Sequence, residues 1–184
     1  DIHSAVNRNK HILAHAPTGL GKTIASLGPA FEYAIRAKKV VFFLTSRQTQ
    51  HLMAIRTLKD MQKEFGLKVN VLDRIGKKWM CLQEGITNVS GADFFEFCKN
   101  AKKERTCEYY NNVKKTSGEL KIGAEVLLDE IQNDVLDCED LIYACDKKKV
   151  CAYEIAVEKG KLAQVVISDY SYIFHPHIRE IFFR

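Results

Sequence analysis

The stretch Ala16 to Thr23, "APTGLGKT", decides the fold of this chain. Gly19 and Gly21 followed by Lys22-Thr23 fit the P-loop pattern G-x-x-x-x-G-K-T, with Ala16 in the first glycine position. Such a turn exposes consecutive backbone N–H groups, and the helix after it directs its positive end at the same anion. Lys22 is predicted to reach the β- and γ-phosphates, and Thr23 to join the Mg²⁺ shell during hydrolysis. The sequence therefore predicts ATP or GTP binding by the whole loop: Ala16, Pro17, Thr18, Gly19, Leu20, Gly21, Lys22 and Thr23.

The segments on both sides of the loop predict a parallel α/β sheet. "HILAHA" before it is expected to form a short strand, and residues 24–37 have helical apolar spacing. "KVVFFLT" is a continuous apolar run, which is typical of a strand buried on both faces of a parallel sheet. A helix over 52–65 and a short strand near 68–72 complete a βαβαβ unit. The predicted fold class is α/β: a P-loop (RecA-like) parallel sheet with helices on both faces.

The α/β pattern stops near residue 77. Residues 77–159 show no strong strand signal, contain all six cysteines and have several lysine pairs. At 163–168, "AQVVIS" returns to a buried-strand pattern. We therefore expect a first part of one domain at 1–76, a mainly helical, loop-rich insertion at 77–159, and a return to the first domain at 160–184.

Four of the cysteines are widely spaced. Cys81, Cys98, Cys107 and Cys151 are separated by 16, 8 and 43 residues, without a C-x-x-C pair. Structural zinc sites usually contain such pairs, so this spacing argues against a zinc ribbon. The remaining interpretations are a [4Fe–4S] cluster or other metal site and buried free thiols. Cys138 and Cys145, seven residues apart on one predicted helical face, are interpreted as packing residues.

An acidic motif, "EVLLDEI" at 125–131, resembles a feature of nucleotide-hydrolysing enzymes. In those enzymes a strand ends in one carboxylate that binds magnesium and a second that activates water. Its apolar residues fit a helical stripe as well as a strand, and it lies among the cysteines. We interpret Asp129-Glu130 as a decoy, that is, as a pair that resembles the magnesium and water-activating site but does not form it. Asp169, after "VVIS", is the other acidic candidate, but no glutamate follows it.

Composition excludes some classes of protein. The chain is 46% hydrophobic and 28% charged, enough for an ordinary globular core, and its net charge of +5 is compatible with a phosphate-backbone partner. It has no run long enough to span a bilayer and no apolar signal-peptide segment at its start. We expect an intracellular protein without a membrane partner, cytoplasmic if archaeal and nuclear if eukaryotic.

Several motifs together resemble the XPD/Rad3 family of superfamily 2 DNA helicases, archaeal members in particular. "APTGLGKT" is similar to the family's Walker A motif, and "FFLTSRQTQ" to its motif Ia. "DRIGKKWMC" and "CEYY" are similar to the first and third cluster-ligand segments, and "CAYEIAVEKGKLAQVVISDYSYIFHPHI" to the fourth ligand and the strand after it. The resemblance implies that a [4Fe–4S] cluster is held by Cys81, Cys98, Cys107 and Cys151. It also implies that the DEAH box lies beyond the C-terminus of the present chain.

The resemblance implies an ATP-driven 5′-to-3′ helicase that acts on single-stranded DNA and forks in excision repair or DNA maintenance. The second motor domain and the other helicase domains would complete it, and this chain alone is expected to be inactive. The DNA contacts expected at motif Ia are Thr45, Arg47 and Gln50, and those in the insertion are Lys102 and Lys103. We also expect Trp79, Tyr109 and Tyr110 to be able to stack on bases.

Three alternatives stay open on the sequence. A DinG-like iron–sulfur helicase has similar motifs and the same chemistry. A nucleotide-binding redox module without motor activity would keep the P-loop and the cysteines but not the DNA. A P-loop kinase-like protein needs lid arginines near the phosphates, and the sequence shows no such cluster.

Overall fold

The computed structural model of the protein describes residues 1–17 and 19–183. Its sheet has three parallel strands, β1 (Val41–Thr45), β2 (Val71–Asp73) and β3 (Val165–Asp169), in the order β1-β3-β2. The register pairs Thr45 with Asp169. Because the strands are parallel, all three end at the same edge of the sheet, in Thr45, Asp73 and Asp169. The predicted α/β class is confirmed.

Three helices accompany the first two strands: α1 (Ile2–Asn7), α2 (Lys22–Ala37) and α3 (Gln48–Phe65). Helix α3 ends at Gly66, whose φ of 60° is a left-handed conformation that suits glycine. Apolar side chains of α2 and α3 pack on the strands in one core. Its buried members are Leu27, Phe31, Ala54, Ile55, Leu58, Val69, Val71, Val135, Val165 and Ile167.

Between β2 and β3 the chain forms five helices: α4 (Gly91–Lys103), α5 (Glu108–Val113), α6 (Ile122–Ile131), α7 (Cys138–Lys147) and α8 (Ala152–Lys161). Two short 3₁₀ turns, Lys77–Met80 and Ile86–Asn88, precede them. Ser90 and Asp137 cap α4 and α7 by accepting backbone N–H groups three residues later. A second core joins this segment to the sheet through Leu72 and Val166. The segment is therefore mainly helical, as predicted, and packs directly on the sheet.

Two short helices follow β3: α9 (Ser171–Phe174) and α10 (Pro176–Phe182). The rings of Phe182 and Phe183 pack edge-on against Phe42, with centroids 6.2 and 5.7 Å away. Within the parts of the chain that are described, none of the helices is long and apolar enough to cross a membrane.

Two expectations about strands are wrong. Residues 10–17, before the P-loop, form no strand, and the side chain of Leu13 is fully exposed. Ile12 and Leu13, the larger members of their apolar run, are both exposed, so burial does not hold this segment against the sheet. Strand β1 forms as expected but lies at the edge of the sheet, with Phe42 37% exposed. It is therefore not buried on both faces.

Candidate functional site

The P-loop forms a turn that glycine alone adopts easily. Gly19 and Gly21 have φ values of 84° and 73°, in the left-handed region where a side chain is strained. Thr18, also predicted to bind phosphate, lies outside the described residues. Gly21 immediately precedes the 16-residue helix α2, whose first turn contains no acidic residue. The loop and the helix end are thus compatible with an anion.

Lys22 bends back over this loop. Its Nζ donates to the carbonyl oxygens of Ala16, at 3.1 Å, and Pro17, at 2.8 Å. Both bonds are solvent-exposed, so a phosphate oxygen can replace them at small cost. Thr23 is half-buried in the first turn of α2. The geometry supports the predicted roles of Lys22 and Thr23 in phosphate and Mg²⁺ binding, which stay predictions.

Cys81, Cys98, Cys107 and Cys151 line one small cavity. Cys81 ends the first 3₁₀ turn, Cys98 lies in α4, and Cys107 and Cys151 immediately precede α5 and α8. Four different elements of the insertion therefore each contribute one cysteine to the lining of this cavity. Leu82, Phe94, Tyr109, Tyr110 and Tyr153 complete most of its wall.

The cavity is apolar but offers hydrogen bonds to sulfur. Burial raises the pKa of the Cys151 thiol to about 11, against the opposing effect of backbone N–H groups at Glu154 and Tyr153. Burial also raises the pKa of Cys81, and the neighbouring Cys98 and Cys107 add to that effect. The Gln83 side chain donates to Cys107 Sγ at 3.4 Å. These donors can stabilise thiolates once a positive metal centre displaces the protons.

The described residues contain no group of three or more His, Cys, Asp or Glu side chains arranged to hold a single metal ion. In a [4Fe–4S] cluster, each of four cysteines binds a different iron, so the sulfurs need not converge on one ion. Four thiols around one cavity are the donor set that such a cluster takes.

Lysines and carboxylates surround the cysteine cavity. Lys102, which lines it, forms a partly buried ion pair with Glu154 and lies over the Tyr110 ring, 4.6 Å from its centroid. Burial lowers the pKa of Lys102, but the hydrogen bond and the charge of Glu154 outweigh this and leave the pKa above its ordinary value. Lys114 pairs with Glu158 one helical turn further along α8, at 2.5 Å. The two ion pairs hold α8 against the preceding part of the insertion.

The other two cysteines lie apart from this cavity. Cys145 is fully buried and Cys138 half-buried in the core of the insertion. Burial raises the pKa of each thiol to about 12. Both therefore stay protonated at neutral pH, and their interpretation as packing residues agrees with the structure.

The motif "EVLLDEI" forms most of helix α6, not a strand end. Ala124, Leu127 and Ile131 are its buried stripe, while Asp129 and Glu130 are exposed on the other face. Glu130 Oε2 lies 3.6 Å from Lys148 Nζ in a surface ion pair. The interpretation of Asp129-Glu130 as a decoy is supported. Asp169 does end a strand, opposite Thr45.

A cleft of about 480 Å³ opens beside the carboxyl edge of the sheet. Arg74 and Lys77 provide its positive charge, Asp169 a negative one, and Trp79 and Phe95 exposed aromatic surface. Its other lining residues are Ser46, Ile75, Gly76, Tyr153, Ser171, Tyr172, Ile178 and Phe182. Cations beside exposed rings are the combination that binds single-stranded nucleic acid.

Arg74 is fixed by the aromatic rings of this cleft. Its guanidinium carbon lies 4.9, 5.7 and 5.0 Å from the centroids of Tyr153, Tyr172 and Phe182, and it donates to the Tyr153 hydroxyl at 2.9 Å. Its buried Nε has no acceptor in the described part of the chain. Arg74 and Tyr172 were not among the predicted site residues. The sequence signal that could have identified Arg74 is its position directly after the apolar strand β2, similar to that of Arg47 shortly after β1.

The motif Ia residues lie where β1 ends and helix α3 begins. Thr45 is buried and its hydroxyl donates to the Arg47 carbonyl at 3.2 Å, so it shapes the turn from inside. Arg47 stands at the N-cap position, but its side chain makes no capping bond and is exposed, as is Gln50. Arg47 and Gln50 are therefore accessible to a phosphate backbone, whereas direct contact by Thr45 would need the turn to open.

The predicted DNA contacts in the insertion separate into two groups. Lys103 is exposed, while Lys102 is committed to Glu154. Trp79 is 62% exposed and accessible to a base. Tyr109 and Tyr110 are partly exposed at the wall of the cysteine cavity, and Lys102 lies over the Tyr110 ring; stacking by these two rings stays a prediction.

Comparison with known proteins gives one family and a consistent set of relatives. The DEAD_2 family model matches residues 44–183. The chain is 24% identical over 203 residues to the general transcription and DNA repair factor IIH helicase subunit XPD/RAD3 of Saccharomyces cerevisiae, covering 98% of this chain and 25% of that protein. It is 22% identical over 161 residues to regulator of telomere elongation helicase 1 of Mus spretus, covering 87% of this chain and 12% of that one.

Among solved structures, "Truncated XPD" superposes with a TM-score of 0.59 and 19% identity, over 98% of this chain and 46% of that one. This likeness establishes the shared fold. The chain spans a quarter or less of the length of these two curated relatives, from yeast and mouse. Both are eukaryotic, and the archaeal affinity expected from the motifs stays a prediction.

Proposed function

The chain belongs to the DEAD_2 family, and on that premise we propose that it is part of an ATP-dependent DNA helicase of the XPD/Rad3 type. The complete protein would move 5′ to 3′ along single-stranded DNA. The observation that carries the proposal is the meeting of Cys81, Cys98, Cys107 and Cys151 at one cavity beside a P-loop sheet. A P-loop alone would fit many NTPases, whereas this combination is specific.

The nucleotide would be held by the loop at 16–23. Backbone N–H groups after Gly19 and Gly21 would surround the phosphates, and Lys22 would exchange its two carbonyl partners for phosphate oxygens. The described residues place no Asp-Glu pair at a strand end. The carboxylate that activates water would therefore be supplied from outside them, and we propose that this chain binds ATP but does not turn it over.

Cys81, Cys98, Cys107 and Cys151 would hold a [4Fe–4S] cluster. When bound, the cluster would cross-link four elements of the insertion and provide a redox-active centre. Gln83 and the backbone N–H groups at the start of α8 would orient and stabilise the thiolates. The ion pairs of Glu154 and Glu158 would keep α8, and hence Cys151, in place.

Single-stranded DNA would follow the cleft at the carboxyl edge of the sheet. Arg47 and Gln50 would contact its backbone at one end and Lys77 at the other, while the buried Arg74 would hold the aromatic wall of the cleft in place. Trp79 and Phe95 would stack on bases, each worth about 1–3 kcal/mol. The fork and the other helicase domains are the further partners implied by the family.

Iron and acid-labile sulfide analysis of anaerobically purified protein tests the cluster. We expect both elements in the parent and in Cys145→Ser, whose thiol packs in the core, and their loss in Cys107→Ser. Binding of a fluorescent oligothymidylate at low salt tests the proposal that the chain is part of a DNA helicase. ATP binding without DNA binding would favour a nucleotide-binding redox module, and absence of iron and sulfide from the parent would refute the cluster.

A further inference from the structure

The wall of the cysteine cavity contains charged side chains of one sign. Lys77 and Lys102 line the cavity, and no carboxylate is part of the lining that the structure describes. Lys102 follows Cys98 by four residues in α4, so the two side chains lie on the same face of that helix. The Lys102 side chain is only 23% exposed. A largely enclosed lysine is uncommon in proteins and is usually paired.

Glu154 is the partner of this lysine. It lies in the first turn of α8, three residues after Cys151, and its side chain is 13% exposed. The centroid of the Tyr110 ring lies 4.6 Å from Lys102 Nζ. The carboxylate and the ring together hold the ammonium group at the wall of the cavity. The ion pair thus joins the helix that contains Cys98 to the helix that begins after Cys151.

The two members of this ion pair act on the cavity in opposite directions. Burial is the main reason why the pKa of the Cys151 thiol is raised, and the charge of Glu154 raises that pKa further, whereas the charge of Lys102 lowers it. Negative charge at this sulfur is therefore stabilised by the lysine and destabilised by the glutamate. Because both side chains are largely enclosed, water screens neither effect fully.

We propose that Lys102, balanced by Glu154, sets how readily the centre held by the four cysteines accepts an electron, a role that rests on the proposed [4Fe–4S] cluster. One electron from an external reductant adds one negative charge at the cavity, and net charge is among the factors that set the potential of such a cluster. Lys102 would favour the added charge, and Glu154 would oppose it. The ion pair then controls the electrostatics of the cavity besides linking two helices.

A purely structural role of the ion pair predicts a different result. Lys102→Met and Glu154→Gln break the same contact, so the loss of a link between helices would shift the reduction potential of both variants in the same direction. With an electrostatic role, the two shifts have opposite signs. The double variant removes one charge of each sign and leaves the net charge unchanged, so its potential should stay near that of the parent.

Redox titration of the anaerobically purified chain, followed by visible absorbance and without DNA, measures these shifts. We expect Lys102→Met to lower the reduction potential and Glu154→Gln to raise it, each by about 30–60 mV, a three- to tenfold change in the equilibrium constant for one electron. The double variant should change that constant by less than about twofold. Lys115→Met, the control, breaks an exposed ion pair with Glu119 outside the cavity lining and should also change it by less than about twofold.

Shifts of the same sign in Lys102→Met and Glu154→Gln, or potentials equal to that of the parent, would overturn the proposed role of Lys102. If Lys102→Met binds no cluster, Glu154→Gln decides, because it retains the lysine: a raised potential would support the role, and an unchanged or lowered one would overturn it. Iron and sulfide are measured in the same samples. Their absence from the parent would refute the cluster and with it this role, whereas a loaded parent with shifts of the same sign would refute the role alone.

Discussion

His51 and Asp73 form a buried pair, with 2.6 Å between Nδ1 and Oδ1 and each side chain 2% exposed. The other oxygen of Asp73 accepts the backbone N–H of Cys138 at 3.1 Å, at the start of α7. One carboxylate therefore joins the helix after motif Ia, the end of β2 and the insertion. Because Asp73 is enclosed, the His51 imidazole and the Cys138 backbone N–H both depend on it as their hydrogen-bond acceptor.

Asp73→Ala should lower the free energy of unfolding by about 3–5 kcal/mol, because it leaves a buried imidazole and a buried N–H without an acceptor. Urea denaturation followed by circular dichroism measures this. Asp140→Ala, which breaks an exposed pair with Lys59, should cost about 0–1 kcal/mol. Similar losses in both variants would show that the Asp73 pair is not buried in solution.

Lys159 should make stability depend on pH. It is 2% exposed, donates to the carbonyls of Ile131, Gln132 and Asp134, and burial lowers its pKa to about 8. Between pH about 8 and the unfolded value near 10.5, the unfolded chain binds more protons, so stability rises with pH in that window. Below pH 8 both states are protonated and this contribution is constant.

Denaturation of the parent and Lys159→Met at several pH values isolates this effect. Their difference should shift in favour of the parent by about 1.4 kcal/mol for each pH unit in the window. Lys161→Met, at an exposed lysine two residues away, should show no such trend. A pH-independent difference between the parent and Lys159→Met would contradict the prediction.

Adjacent lysines in α4 should have different roles in DNA binding. Lys103→Gln should reduce the salt slope of single-stranded DNA binding by about 0.7 for each phosphate that the lysine neutralises, with unchanged stability. Lys102→Gln should lower stability by about 1–3 kcal/mol, because it leaves Glu154 partly buried without its partner. Anisotropy titrations over a range of salt, together with urea denaturation, measure both quantities. A loss of stability in Lys103→Gln together with a reduced salt slope in Lys102→Gln would refute this division of roles.

Lys22→Met should weaken binding of a fluorescent ATP analogue by at least about a hundredfold, because phosphate loses its cationic partner in the loop. Stability should change by less than about 0.5 kcal/mol, since the two carbonyls that Lys22 contacts are solvent-exposed. Lys39→Met, an exposed lysine just after α2, is the control and should leave both properties unchanged. Unchanged nucleotide affinity in Lys22→Met would contradict the assignment of residues 16–23 as the phosphate-binding loop.

Local sequence determined the features that depend on a few neighbouring residues. The glycines at 19 and 21 occupy left-handed positions as the P-loop pattern requires, and the apolar spacing of 125–131, which fits a helix as well as a strand, forms the buried stripe of a helix. Both are decided within one or two turns of chain, where side-chain periodicity and backbone freedom act directly.

Tertiary structure decided everything that depends on segments distant in sequence. It brought sulfurs from positions 81, 98, 107 and 151 to one cavity, left β1 at the sheet edge, and paired Lys102 but not Lys103 with a carboxylate. It also enclosed His51 with Asp73. No local pattern encodes these relationships, because each arises when helices and strands bury their apolar faces against one another and thereby choose which polar groups meet.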